Sequence, residues 1–392
     1  MRKLSLMVLL LFTVWLFADN SPLILIHGLN GRPSDMSSLE EAVSNTFRFS
    51  DRFKVGYDSN AKIEDIAINV GEQIANSAQV NNKQAVVITH SMGGLVARQY
   101  MLNKQASSAV KALITIGTPH TGTGLATIQN WIAFLGTDVA AIVAPPLLDR
   151  QPERSIVLAT TAGSILIFAE GMGKLAAIGY ILPLIPAQWN LSLSVQLDAF
   201  SNGLAAYKNS CIAEMALNSQ FLSNLNSRTL PVKGSEGKSI YYASIYGTKS
   251  DLYTMLEELT GYGTEVQSAL GAISISYATW GAYYVATTGW WNLLRLVNGL
   301  AYLAGAAITF PPAQSWTYNT LLVGLWESDA VVPTYSQKFP KSVVPISSGA
   351  TYIDPQEAND ANHLEETIPT QKVKLALDYI LDWAQVPRIG SN

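Results

Sequence analysis

Residues 85–94, AVVITHSMGG, constrain this chain more than any other stretch. Positions 85–89 are short, uncharged and β-branched, the pattern of a strand buried on both faces of a parallel sheet. Beyond two glycines, Leu95, Val96, Tyr100 and Met101 recur at helical spacing. Ser91 therefore stands where a strand passes abruptly into a helix. A serine forced onto so tight a turn has its hydroxyl lifted clear of the sheet. The helix start behind it offers free N–H groups to negative charge.

The rest of the chain repeats the alternation. Residues 21–28, SPLILIHG, read as a second buried strand, and 53–57 as a third. Ile63, Ile66, Ala67, Val70, Ile74 and Ala78 mark an amphipathic helix that should cover one sheet face. Further strands are expected at 112–117, 239–246 and 321–326. Val373, Ala376, Leu377, Ile380 and Trp383 mark a closing helix. Strands alternating with helices imply a parallel sheet, right-handed crossovers, and ligands at the carboxyl ends of the strands. His27, Gly28 and Ser91 all fall at such ends and should meet above the sheet.

Composition narrows the classes. The chain has 392 residues, 48% hydrophobic and only 14% charged, which favours a large core over disorder. A net charge of −4 gives no reason to expect nucleic acid as a partner. Cys211 is the single cysteine, so neither an intramolecular disulfide nor a Cys-based metal site can form. It is expected to be a small buried hydrophobe. Residues 1–18 carry Arg2 and Lys3, then an apolar run, then Ala18 before Asp19, as in a signal peptide. An N-terminal anchor is the alternative. The apolar run 4–18 is shorter than the roughly 20 residues that span a bilayer, so export is preferred. The folded domain is placed at 19–389.

Two insertions are expected, at 123–235 and 262–316. Residues 156–189 carry only Glu170 and Lys174 as charges and are broken by Gly and Pro. Those breaks and charges favour a cap or lid over a transmembrane hairpin. Residues 266–326 carry one charge, Arg295, and include Trp280, Tyr283, Tyr284, Trp290 and Trp291. Buried helices and an aromatic surface that touches lipid both remain open there.

Several motifs, in order, resemble the α/β-hydrolase superfamily, and within it the bacterial triacylglycerol lipases and esterases. T-H-S-M-G at 89–93 resembles the G-x-S-x-G nucleophile elbow, with Thr89 at the first glycine. HGLNG at 27–31 resembles the oxyanion loop. GTPHTG at 117–122 resembles a loop beside the elbow. Asp329-Ala-Val-Val-Pro resembles the turn that carries the triad acid, and Asn362-His363-Leu364-Glu365-Glu366 the loop around the catalytic histidine. The likeness covers 22–124 and roughly 321–383. It implies a mostly parallel sheet flanked by helices, with large apolar cap or lid insertions.

The resemblance also implies roles. Ser91 would be the nucleophile, with the backbone N–H groups of Leu29 and Met92 forming the oxyanion hole. Of four histidines, His27 belongs to the oxyanion loop and His120 precedes the acid. His90 adjoins the nucleophile, and its side chain is expected to point away from it. The family order of serine, acid, histidine leaves His363 as base. Asp329 competes with Glu327, Asp354 and Asp360 for the acid. Asp329 is preferred because it sits just past a buried strand, whereas Asp354 and Asp360 lie in a polar loop. No cofactor is implied. Related lipases often hold calcium near the histidine loop, and Glu365 matches one ligand position. The upstream carboxylate is missing, so no metal is expected. The chain thus reads as an exported serine hydrolase of carboxylic esters, a lipase on long-chain acyl esters being preferred, with a lipid or ester substrate and contact with a lipid surface. A phospholipase, an acyltransferase and an amide-cleaving relative remain alternatives, as does a catalytically silent lipid-binding protein.

Overall fold

Every strand pairing within the sheet described by the computed structural model is parallel. The structure describes residues 20–126, 211–250 and 327–390, apart from 30, 60, 104–105, 235–236 and 349–350, together with single positions at 278, 282, 285 and 303. Residues 1–18, the expected strand at 321–326 and most of both expected insertions lie outside the described residues.

The sheet holds β1 (Leu23–Ile26), β2 (Arg52–Val55), β3 (Ala85–His90), β4 (Val110–Ile116), β5 (Tyr241–Gly247), β6 (Thr351–Tyr352) and β7 (Gln356–Ala358), in the order β2-β1-β3-β4-β5-β6. β7 also pairs with β5, further along that strand than β6. Ile26 aligns with Thr89, and Thr89 with Thr115. The carboxyl ends of β1, β3 and β4 are therefore level. That register brings residues 27–28, Ser91 and Gly117 to one edge of the sheet.

β1, β3, β4 and β5 feed two cores, because successive side chains point to opposite faces. Leu23, Leu25, Val86 and Ile88 pack with α1 (Ser37–Ser44) on one face. Ile24, Ile26 and Val87 pack with α2 (Ile63–Asn81) and α3 (Met92–Met101) on the other. This double burial is why β1 and β3 read as unbroken apolar runs. Glu64 and Asp65 complement the dipole at the start of α2, and Asn82 ends it in the left-handed conformation, φ 48°.

The chain is back on the core by residue 211, within the range expected for the first insertion. Ile212 and Met215, then Phe221, Leu222 and Leu225 of α4 (Gln220–Asn226), join the core beneath α2 and α3. Cys211 is buried, its thiol donating to the Ser59 carbonyl at 2.9 Å. The Glu214 carboxylate accepts from the Ile63 amide at 2.5 Å, at the first turn of α2. α5 (Gln371–Trp383) closes the fold, burying Val373, Ala376, Leu377, Ile380 and Leu381 on the α1 side. This is the α/β-hydrolase fold. No described helix is long and apolar enough to cross a membrane.

Candidate active site

Ser91 is the residue between β3 and α3, and it adopts φ 53°, ψ −128°. A non-glycine residue in that region is strained, and such strain is held only where the surroundings enforce it. Here the Ser91 amide donates to the Ile116 carbonyl at 2.9 Å, while the Thr118 hydroxyl donates to the Ser91 carbonyl at 2.9 Å. Gly93 makes the turn sterically possible. A Cβ at that position would lie 2.4 Å from the His27 carbonyl oxygen and 2.8 Å from that of Ile26. Thr89, where the family pattern has glycine, is fully buried with its hydroxyl facing the Ile114 carbonyl at 3.4 Å.

Three of the expected side chains meet in one line of hydrogen bonds. Nε2 of His363 lies 2.9 Å from Ser91 Oγ, and Nδ1 of His363 lies 2.7 Å from Asp329 Oδ2. The other carboxylate oxygen of Asp329 accepts from the amides of Val331 and Val332 at 2.9 and 2.7 Å. The His363 amide also donates to the Asp329 carbonyl at 2.9 Å, so the two loops are tied by backbone as well as side chain. The rival acids sit elsewhere. Asp354 is an exposed partner of Lys341 at 3.1 Å, and Asp360 accepts from Thr370 and Lys372 at the start of α5. Glu327 is exposed.

A second buried carboxylate stands in the same place. Glu366 is fully buried, and its Oε1 accepts from the Gly247 amide at 2.9 Å. Its Oε2 lies 3.4 Å from His363 Nδ1 and 3.4 Å from His90 Nε2, without a hydrogen bond of its own among the described residues. Gly117, at φ 58°, leaves the space this carboxylate fills. His90 corrects the sequence-based expectation. Its side chain does not turn away but packs beside His363, ring centroids 4.7 Å apart, with Nε2 at 2.8 Å from the His363 carbonyl. The neighbouring loop supplies an acceptor that alternation along a strand could not foretell.

Charge is unevenly shared in this cluster. Burial alone would push the His363 imidazolium down, but the Asp329 carboxylate, its hydrogen bond and Glu366 outweigh it and hold the pKa at about 10. Burial raises the Asp329 carboxyl, against the pull of His363 and with a push from Glu366. Burial also works against ionised Glu366, yet its contacts with His363 and His90 hold its carboxyl below the ordinary value.

His120 is not part of this line. It is fully buried with Nδ1 at 3.1 Å from Arg98 Nη1 and Nε2 at 3.0 Å from Thr115 Oγ1. Burial, reinforced by Arg98, keeps its pKa well below the usual range. Asn226 donates to the His120 carbonyl at 2.9 Å, so α4 holds the 117–122 loop in place.

The 27–31 loop runs over the nucleophile. A Cβ on Gly28 would lie 2.8 Å from Ser91 Cβ and 3.3 Å from Ser91 Oγ, so only glycine permits this approach. Leu29 follows it, its side chain packed against the core. Met92 is the first residue of α3, where helix geometry leaves N–H groups free of intrahelical partners.

Among the described residues, the atoms that could converge on a metal are His90 Nε2, His363 Nδ1 and Glu366 Oε2. Both nitrogens are already engaged, with the His363 carbonyl and Asp329. Glu365 is paired with Lys249 at 2.5 Å. His90 and Glu366 are the site residues that sequence reasoning missed. Glu366 carried a signal, since it lies one turn beyond His363 in the same pentad.

A family model described as a PGAP1-like alpha/beta domain matches residues 59–137. A GPI inositol-deacylase of Candida albicans is 27% identical over 123 residues, covering 26% of this chain and 32% of that protein. The match thus spans about a third of that relative's length. Among solved structures, the mature lipase BlEst2 of Bacillus licheniformis aligns with a TM-score of 0.42 at 14% identity, covering 94% of this chain and 93% of that one. The phospholipase PlaB of Legionella pneumophila aligns with a TM-score of 0.33 at 14% identity, covering 60% of this chain and 40% of that one.

Proposed function

We propose that this chain is a serine hydrolase of carboxylic esters, acting on lipid acyl chains. The observation that carries this reading is the line Ser91 Oγ, His363 Nε2, His363 Nδ1, Asp329 Oδ2, with contacts of 2.9 and 2.7 Å, built on a strained turn. In this reading His363 takes the hydroxyl proton as Ser91 Oγ attacks the ester carbonyl. Asp329 fixes the Nδ1–H tautomer and stabilises the imidazolium that forms. The amides of Leu29 and Met92 stabilise the tetrahedral oxyanion. His363 then protonates the leaving alcohol, and a water repeats the sequence to release the acid from the acyl-enzyme. No cofactor enters any step.

Long-chain acyl esters are the preferred substrates, in keeping with the apolar composition of the chain, which acts as an exported protein at a lipid surface. A second reading, removal of an acyl group from the inositol of a GPI, is favoured by the name of the curated relative and by the family description over 59–137. A fluorophosphonate probe tests the chemistry. Wild-type protein should be labelled and Ser91→Ala should not, with ester turnover lost in parallel. A panel of acyl esters on glycerol, phosphoglycerol and inositol then separates the substrate classes. Turnover that survives Ser91→Ala would overturn the reading.

A further inference from the structure

The amides assigned to the oxyanion hole are parts of two peptide planes, and each plane is pinned from its far side. In a trans peptide the C=O of one residue and the N–H of the next point in opposite directions. Whatever holds the Gly28 carbonyl therefore aims the Leu29 N–H. Whatever holds the Ser91 carbonyl aims the Met92 N–H.

The Gly28 carbonyl is held by three donors. His27 Nδ1 lies 2.8 Å away, the Tyr57 hydroxyl donates at 3.1 Å, and the Gly31 amide donates at 3.2 Å. The single Tyr57 proton is shared with the His27 carbonyl at 2.6 Å, the shorter contact, so the hydroxyl braces two successive peptides as a bifurcated donor. The rings of His27 and Tyr57 stack at 4.2 Å and 11°, which brings both donors to the one carbonyl. Since Nδ1 faces a carbonyl, it carries the proton. Burial raises the Tyr57 phenol far above its ordinary pKa, so the hydroxyl remains a donor at any working pH. On the other plane, the fully buried Thr118 hydroxyl donates to the Ser91 carbonyl at 2.9 Å, and the Gly94 amide donates to it at 3.0 Å.

We infer that Tyr57 and Thr118 are positioning residues for the oxyanion hole, each fixing one of the two peptide planes whose N–H groups face the developing negative charge. The inference rests on the ester-hydrolase reading above. Each hydroxyl acts through the backbone carbonyl to which it donates. Each prepays the orientation of a donor, which matters only when the carbonyl oxygen becomes an oxyanion, so the effect belongs to the transition state. The Leu29 loop has no helix to stiffen it, whereas Met92 begins α3. Tyr57 should therefore matter more than Thr118.

Tyr57→Phe keeps the ring stack and removes only the donor. Thr118→Val keeps the shape and removes its hydroxyl. On a short soluble ester, Tyr57→Phe should lower kcat about 10- to 100-fold with KM within about twofold, a part of the loss seen when an oxyanion donor is deleted outright. Thr118→Val should lower kcat several-fold with the same split. A trifluoromethyl ketone, whose hemiketal places an oxyanion in the hole, should lose affinity by the same factors in each variant. Active sites are counted by fluorophosphonate titration, so that misfolded protein does not enter kcat. Should Tyr57→Phe not fold, Thr118→Val carries the test alone. A lowered Tm with unchanged kcat per titrated site and unchanged ketone affinity would overturn the inference and leave both residues as packing. Loss of Ser91 labelling in the wild type would instead overturn the hydrolase reading itself.

Discussion

The side chain of His90 crosses 273 positions of sequence to place Nε2 2.8 Å from the backbone carbonyl of His363. The residue before the nucleophile thus grips the loop that carries the base. Ser91 and His363 come from segments that share no strand pairing, and this contact joins them directly. Losing one such bond is worth about 1.4 kcal/mol, or a factor of about ten. His90→Leu should slow fluorophosphonate labelling of Ser91 and lower kcat by about tenfold, with KM little changed. His90→Gln, whose amide can still donate to the carbonyl, should recover part of the loss. An unchanged labelling rate in His90→Leu would show that the loop holds itself.

Asp329 does not stand alone behind the base. Its Oδ2 is 2.7 Å from His363 Nδ1, and Glu366 Oε2 is 3.4 Å from the same atom. Converting a lone triad aspartate to asparagine costs on the order of 10⁴ in rate in the serine-protease template. Asp329→Asn should cost less than that here, because Glu366 can still accept from Nδ1 and hold the tautomer. Glu366→Gln alone should cost about tenfold or less. The double variant should fall to the full loss. Measuring kcat/KM across this cycle gives the coupling between the two carboxylates. If the double variant is no worse than Asp329→Asn, Glu366 serves only to hold Gly247.

The same two carboxylates set the pH profile. His363 must be neutral to accept the Ser91 proton, so activity is lost as pH falls through its pKa. Burial pulls that pKa down, but Asp329 and Glu366 prevail and hold it at about 10. The rate should therefore keep rising through the alkaline range instead of levelling near about 6.5, the unperturbed value. Stability follows the opposite sense. Protonated His363 gains partners on folding, so its contribution is full below about 6.5 and fades as pH rises through the folded value. Asp329→Asn should move the kcat/KM limb to lower pH, while His120→Ala should leave it in place. A wild-type limb at or below the unperturbed value would mean that the carboxylates do not govern the imidazole.

What could be read from the sequence was what depends on short range. β1 and β3 are buried on both faces, so they announce themselves as apolar runs. α2 and α5 bury one stripe each, so their periodicity is plain. Ser91, Asp329 and His363 were reachable through local motifs. The rest depends on where distant loops land. His90 was expected to face away because nothing local reveals the His363 carbonyl as its acceptor. Tyr57 lies 30 residues from the carbonyl it braces, with nothing nearby in sequence to mark it. β6 and β7 are two and three residues long and carry Gln356 and Glu357, so they show no apolar alternation. Residues 211–226 fall within the expected insertion, because nothing in their own sequence shows that their partners lie in α2, far earlier in the chain.

Glu365 bears on the metal question. Its Oε1 is 2.5 Å from Lys249 Nζ, and its Oε2 accepts from the Asn362 amide at 2.9 Å. The Lys249 amide also donates to the Ala361 carbonyl at 3.2 Å. Lys249, two residues past β5, therefore tethers both ends of the loop that carries His363. An ammonium ion holds the carboxylate that the resemblance would assign to calcium. EDTA should leave both kcat and Tm unchanged, and added calcium should not raise Tm. Lys249→Met should act differently on the two quantities. The pair is partly exposed, at 35% and 16% of its side chains, so its loss should cost stability only about 1 kcal/mol or less. The base rides on the tethered loop, so kcat should fall by more than that loss of stability explains. Salt should shrink the wild-type advantage, because the exposed ammonium is screened. Loss of activity in EDTA, restored by calcium and accompanied by a neutral Lys249→Met, would show that a metal and not the lysine holds this loop.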